Sequence, residues 1–246
     1  MRIQDATFVV IDTETTGLDC AKDKLVEIAA VAIQQYQGIV GMWATLINPG
    51  VPIPPEVSAV HYLTAADVAD APTLSIAESG LNRFWCLADS GPLVAHNAAF
   101  DAGFIDPSVL GYTAPADWLC TQRLARHVWP DAPTYKNQGL RFWRRLKVDT
   151  FGVLPHRALG DALVTAALLD DLLGSSEFAE LGIATVEDLR ALSASPVRFT
   201  TWPKGKHYGK PLDTDLGYVR WALGPSGMTD MDADLRFSLS EVLGRK

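Results

Sequence analysis

Asp12 and Glu14 close a β-branched apolar run, Val9-Val10-Ile11-Asp12-Thr13-Glu14-Thr15, that has the composition of a buried central strand. In a strand, residues two apart face the same way at roughly 7 Å, so both carboxylates lean to one side where the element runs out. Two negative charges about 4 Å apart repel by about 4 kcal/mol at an effective dielectric near 20. Protonation or a bound cation relieves that repulsion, and hard divalent ions take such oxygen ligands. Two other chemistries fit the pair taken alone. Asp12 can cap the following turn while Glu14 stays solvated, since Asp and Thr are common turn formers. Alternatively, Asp12 is the nucleophile of an aspartyl phosphatase and Glu14 protonates the leaving group.

Two later segments repeat the pattern. Asp101 ends Asn97-Ala98-Ala99-Phe100-Asp101, where the apolar run Pro92 to His96 gives way to a helix, and its carboxylate can project toward the strand ends. Asp161 lies one turn into the apolar helix Ala158 to Leu173, crowded by Leu159, Ala162 and Leu163, with Gly160 thinning the surface beside it. A metal site rationalises an acid in that company. His156 stands five residues earlier, a rotation of about 140° if both were helical, which puts the histidine in a flexible lead-in after Pro155. From there its imidazole can swing over an attacking water without being a ligand. An unperturbed pKa of about 6.5 lets it accept a proton at neutral pH, help worth roughly 10²- to 10⁴-fold.

The elements that must position these groups follow from periodicity. Thr7 to Thr13, Leu25 to Gln34 and Ile39 to Ile47 read as three strands of an antiparallel meander. Pro49 to Pro55 is an extended connector, Pro55 suits a first helical position, and Thr64 is expected to cap another short helix. Helices are expected over Leu74 to Leu87, Thr121 to Val128, Asn137 to Leu146, Ala158 to Leu173 and Val186 to Ser193. The stripe Leu159, Ala162, Leu163, Ala166, Leu169 and Leu173 marks the apolar side of the fourth. Pro92 to His96 and Trp118 to Cys120 supply two further strands. Three strands followed by alternating helices and strands predict an α/β fold, a mixed sheet covered by helices on both faces. A composition shift at Gly174-Ser175-Ser176 marks a boundary. It separates a domain over 1–175 from a small basic region over 183–246.

Among 246 residues, 48% are apolar and 20% charged, enough for a sizeable core. The first residues are too short an apolar run for a signal peptide, and no segment approaches the roughly 20 apolar residues that span a bilayer. Cys20, Cys86 and Cys120 lie far apart with no CxxC pair, against a zinc knuckle or a disulfide framework; a reduced cytoplasm is the expected setting. Net charge is −8, yet Arg123, Arg126, Lys136, Arg141, Arg144, Arg145, Lys147 and Arg157 face only Asp131 and Asp149 in one stretch. Pro196 to Pro211 adds Arg198, Lys204, Lys206 and Lys210 with no acid. The first cluster also reads as a solvated helix face.

Taken in order, Asp12-x-Glu14, His96-Asn97-Ala98-Ala99-Phe100-Asp101 and His156-x-x-x-x-Asp161 resemble the three motifs of the DEDDh exonuclease superfamily, which has an RNase H-like fold. The histidine spacing fits the His subtype; the Tyr subtype would place a tyrosine where Arg157 stands. Trp118 to Pro130, Thr165-Ala166-Ala167-Leu168-Leu169, and the carboxy-terminal Gly205-Lys206-His207-Tyr208-Gly209-Lys210 with Tyr218-Val219-Arg220-Trp221 are similar to the bacterial exodeoxyribonuclease X family. Asp19 departs from that pattern, putting an acid where an amide stands.

The resemblance implies an RNase H-like sheet of about five strands with a small C-terminal appendage, and two-metal hydrolysis. Asp12 would serve both of two divalent cations, Mg²⁺ with Mn²⁺ as a substitute. Glu14 and Asp161 would hold the first, Asp101 would join the surrounding shell, and His156 would take the proton of the attacking water. The implied substrate is the 3′ end of single- or double-stranded DNA, cut to 5′-mononucleotides in DNA repair, with no membrane partner. Thr15, Gly17 and Leu18 would line the terminal nucleotide, Leu18 as a wedge, together with His61 of His61-Tyr62-Leu63-Thr64 and Asn97. Lys204, Lys206 and Lys210 would track the backbone, with Trp202 and Tyr208 available for stacking. An RNA-trimming exonuclease and a polymerase proofreading subunit use the same motifs, and a non-catalytic nucleic-acid-binding module is the rival from another class.

Overall fold

The computed structural model describes residues 1–77, 84, 92–105 and 118–244. Its centre is a mixed sheet of five strands, β1 (Thr7–Thr15), β2 (Leu25–Gln34), β3 (Gly38–Leu46), β4 (Leu93–Ala95) and β5 (Leu119–Cys120), in the order β3-β2-β1-β4-β5. β1, β2 and β3 form the antiparallel meander, while β4 adds parallel to β1 and β5 parallel to β4. The Val- and Ile-rich runs of β1 and β2 are continuous rather than alternating because both faces of the sheet are covered there, whereas β3 at the sheet edge has no buried residue. Nine of the ten residues of β2 are buried.

Alternation along β1 assigns side chains to the two faces. Phe8 and Val10 pack with Leu163, Ala166 and Leu169 of one long helix, whereas Val9 and Ile11 pack with Ile28, Ile47 and Ile105 on the other face. Helices in chain order are α1 (Pro55–His61), α2 (Ala98–Phe104), α3 (Thr121–Val128), α4 (Asn137–Trp143), α5 (Ala158–Leu173), α6 (Ser176–Ala179) and α7 (Val186–Ala194). α5 touches β1, β2, α3 and α4. Enclosed in this way, it buries Val164, Thr165, Leu168 and Leu172 as well as the predicted stripe, while Leu159 stays half-buried.

Pro55 occupies the first turn of α1 as its fixed φ allows. Thr64 caps no helix: its main-chain N–H and its hydroxyl both donate to Asp67 Oδ2, at 2.7 and 2.6 Å, and close an exposed turn. α4 stops at Trp143 rather than Leu146, because Arg145 enters the left-handed region at φ 58°. The helix expected over 74–87 falls partly outside the described residues.

The chain divides into two compact units, Met1–Ser193 and Ala194–Lys246. The division falls later than the composition shift at 174–176 suggests. Ile3 N–H donates to Ala184 C=O at 3.0 Å and Val186 N–H to Met1 C=O at 2.9 Å, so 183–193 is stitched to the first strand's entry. The second unit has α8 (Leu216–Leu223) and α9 (Ala233–Gly244) around a small core of Trp202, Leu212, Val219, Ala222, Leu235 and Leu239. No helix among the described residues is long and apolar enough to cross a membrane.

Candidate active site

Asp12 and Glu14 share the face of β1 that meets α5, and Asp161 stands in the first turn of α5. One carboxylate oxygen from each of the three lies within 4.8 Å of the others. Asp101 approaches from the other side of the strand: buried in α2, it accepts the hydroxyl of Thr13 at 2.8 Å on Oδ1. Four acids from three distant stretches therefore converge where β1 ends.

The proton affinities of Asp12, Glu14 and Asp101 record the crowding. Burial, followed by the charges of Asp161, Glu27 and Asp101, pushes Glu14 up to about 8 against the opposing pull of Arg157. Burial also raises Asp101 to about 7, against the hydrogen bonds that favour its ionised form. Asp12 is raised well above the ordinary carboxylate value by burial first and then by Asp101, Asp161 and Glu14. An all-oxygen donor set whose negative charge is this poorly tolerated fits a hard divalent cation.

Carboxyls with raised pKa hold more protons in the folded than in the unfolded chain, so their contribution to stability is complete below the unfolded values and lost as pH rises through the folded ones. In chelator, melting temperature is expected to fall between about pH 5 and about pH 8. Millimolar Mg²⁺ should flatten or reverse that slope, because a cation prefers the ionised acids. A slope unaffected by Mg²⁺ in thermal melts would contradict a cation site here.

Asp161 is held from three directions. Gln138 Nε2 donates to Oδ1 at 2.6 Å, the main-chain N–H of His156 donates to Oδ2 at 3.1 Å, and Asn137 Nδ2 donates to the Asp161 C=O at 3.3 Å. Asn137 also donates to Thr165 Oγ1 at 2.6 Å. His156 itself is exposed and sits in the left-handed region at φ 60°, a conformation that costs an L residue about 1–2 kcal/mol. Gly160 allows this loop to lie on the helix, since a Cβ there would meet Leu154 C=O at 2.7 Å.

Glu27 was not among the candidates, yet it anchors the same loop. Its buried carboxylate accepts Arg157 Nε at 2.9 Å, Arg157 NH2 at 2.8 Å and the Ala158 N–H at 3.0 Å. It lies directly across from Glu14 in the β1–β2 register. The residue after His156 and the first N–H of α5 are thereby tied to the sheet. One signal was available: an acid inside the otherwise apolar run Leu25-Val26-Glu27-Ile28-Ala29.

The remaining candidates are more dispersed. Thr15 is buried and its hydroxyl donates to Gly17 C=O. At Gly17 a Cβ would collide with the Asp23 carboxylate, at 2.4 Å. Leu18 is 87% exposed just beyond the strand end. His61 is buried at the end of α1; its Nδ1 accepts the Leu63 N–H at 3.0 Å, and burial lowers its pKa. Asn97 is exposed at φ 68° immediately before α2. His96, quoted in the second motif, is structural, with ring nitrogens on Thr121 Oγ1 at 2.9 Å and Tyr135 C=O at 2.8 Å. Lys204, Lys206 and Lys210 are exposed in the second unit. Trp202 is not free to stack on a ligand, because the small core of that unit buries it to 1% exposure.

Residues 9–169 match the family model described as Exonuclease. Exodeoxyribonuclease 10 of Escherichia coli (strain K12) is 36% identical over 239 residues, 95% of this chain and 97% of the relative. DNA polymerase III subunit epsilon of Aquifex aeolicus is 32% identical over 192 residues, 76% of this chain and 90% of that protein. A solved structure of exonuclease X in complex with 5′ overhanging duplex DNA superposes with a TM-score of 0.61 at 35% identity, covering 76% of this chain and 99% of its own.

Proposed function

The chain belongs to the exonuclease family, and from that premise we propose that it is a divalent-metal-dependent 3′-to-5′ exodeoxyribonuclease that releases 5′-mononucleotides from DNA 3′ ends. The observation that carries this reading is the meeting of Asp12, Glu14 and Asp161 oxygens within 4.8 Å. Similarity over nearly the whole length to an exodeoxyribonuclease supports DNA as the substrate and a free-standing enzyme over a polymerase subunit. A cytoplasmic setting agrees with the free Cys20 and Cys120, and trimming of DNA 3′ ends is work that DNA repair requires.

In this mechanism Asp12, Glu14 and Asp161 would hold two Mg²⁺ ions, with Mn²⁺ a working substitute, and Asp101 would complete the surrounding shell. Once bound, the pair would supply activation of water and stabilisation of the leaving oxygen. Glu27, Arg157 and the His156 N–H fix the loop from which the His156 imidazole takes the proton of the attacking water. Leu18 stands exposed where it can wedge against the terminal base, while Thr15, Gly17, His61 and Asn97 shape the terminal-nucleotide pocket. Lys204, Lys206 and Lys210 contact the nucleic-acid backbone.

A time course on 5′-labelled single-stranded DNA, duplex DNA and an RNA of the same sequence, in Mg²⁺ and in chelator, tests the proposal. Stepwise shortening of DNA with release of 5′-mononucleotides, abolished by chelator, is the expected result. Unchanged lengths would leave only a binding module, and faster loss of RNA would make it an RNA-trimming enzyme. Replacing His156 by Ala is expected to lower kcat by roughly 10²- to 10⁴-fold with KM little altered. An effect confined to KM would remove the proton-transfer role.

A further inference from the structure

We propose that the second unit, Ala194–Lys246, carries a binding platform for single-stranded DNA, built on Trp221 and Tyr218 and rimmed by Lys206, Lys210 and Arg220. This rests on the exonuclease reading and adds a second, non-catalytic DNA-binding surface to it. Charge is the first observation. The unit holds eight Lys and Arg against six Asp and Glu, while Met1–Ser193 holds thirteen against twenty-three, so the chain's excess of negative charge lies in the catalytic unit. A polyanion meets its least repulsion on the second unit.

Residues 202–210 form a tight knuckle. Trp202 N–H donates to Lys210 C=O and Gly209 N–H to Trp202 C=O, both at 2.9 Å, and Gly205 and Gly209 take φ of 85° and 74°. Trp202 and His207 turn inward and are buried, which leaves Lys204, Lys206, Tyr208 and Lys210 outside. The knuckle rests on Tyr218: a Cβ at Gly205 would lie 3.2 Å from the Tyr218 hydroxyl, and Lys206 Nζ stands 5.9 Å over its ring.

Tyr218 is in turn stacked on Trp221, with ring centroids 5.0 Å apart and planes 28° from parallel. Trp202 and His207 meet Tyr218 edge-on at 5.0 and 4.9 Å. Trp221 is thus backed by a rigid aromatic wall while 46% of it remains exposed. An indole immobilised on one side and open on the other offers an unpaired base a ready stacking partner. A base inside a duplex would first have to leave its own stack, which favours single strands.

The cations are available to phosphate. Lys204 Nζ donates to Asp230 C=O at 3.3 Å and Lys206 Nζ lies 4.0 Å from Asp215 Oδ2. Such exposed interactions are worth little. Arg220, the residue before Trp221, and Lys210 of the knuckle have no ion-pair partner among the described residues. An apolar protein partner would gain nothing from this rim.

The test uses the full chain in chelator, where cleavage is silent. Affinity is read by fluorescence anisotropy of a labelled oligo-thymidylate and of a blunt duplex, across a salt series. Trp221→Ala is expected to weaken oligo-thymidylate binding by roughly tenfold, Trp221→Phe to restore most of it, and blunt-duplex affinity to change far less. Lys210→Glu with Arg220→Glu should lower the slope of log Kd against log salt by about 0.7 for each phosphate that is no longer neutralised. Both residues are exposed, so this pair keeps the test valid if Trp221→Ala lowers the melting temperature. Unchanged single-strand affinity in all these variants, or an equal weakening on blunt duplex, overturns the platform. Binding through Trp221 by a chain that cuts nothing in Mg²⁺ would sink the exonuclease reading alone.

Discussion

Asp12→Asn is expected to slow cleavage by at least about a thousandfold, roughly 4 kcal/mol of transition-state stabilisation, and at the same time to raise the melting temperature of the metal-free protein. Both effects have one cause. Asp12 stands among Asp101, Asp161 and Glu14, and burial together with those charges raises its pKa. Exchanging the carboxylate for an amide of the same shape removes repulsion from the empty cluster and removes a ligand from the loaded one. Activity and stability should therefore move in opposite directions, which a residue that merely supported the fold could not produce. Single-turnover cleavage and thermal melts in chelator decide it. Cleavage within tenfold of the parent, or a metal-free melting temperature several degrees lower, would remove Asp12 from the site.

Glu27→Ala is the second large effect, and it acts first on stability. The side chain of Arg157 is 28% exposed and that of Glu27 only 7%. Truncating Glu27 strands a half-buried guanidinium and leaves the Ala158 N–H at the start of α5 without an acceptor. Breaking a pair of this kind costs about 3 kcal/mol, measurable as a lower urea midpoint at an unchanged m-value. Because the same carboxylate tethers the loop bearing His156, kcat should fall on the order of a hundredfold, as misplaced groups do, with a smaller change in KM. Faster hydrogen exchange at the His156 amide would mark Glu27 as a positioning residue. Glu27→Gln keeps one acceptor oxygen and should recover part of both losses. Intact kcat and unchanged exchange at His156 would reduce the pair to a structural clamp.

How much was legible in the chain depends on how local each signal is. α5 begins and ends where its pattern predicts, because Pro155 and Gly174 punctuate a mainly apolar stretch. The meander is equally plain, since Val and Ile runs separated by short polar breaks leave few other pairings. Asp12, Glu14, Asp101 and Asp161 stood out as acids in apolar company. Gln138 gave no such sign and Glu27 gave that one without its role, because their partners lie 23 and 130 residues away and only the folded register brings them together. Trp202 misled for a related reason. Thr200-Thr201-Trp202-Pro203 reads as surface, but a unit of this size has few large apolar side chains and buries this one in its core.

The site straddles a single strand, Asp12 and Glu14 facing α5 while Thr13 reaches Asp101 behind it. Deleting or inserting one residue within Thr7–Thr15 would turn both sets of side chains inside out together. The loops between the motifs can lengthen or shorten without that penalty. Drift in this lineage should accordingly show up as gaps outside the first strand, whose residue count is held by chemistry on both its surfaces.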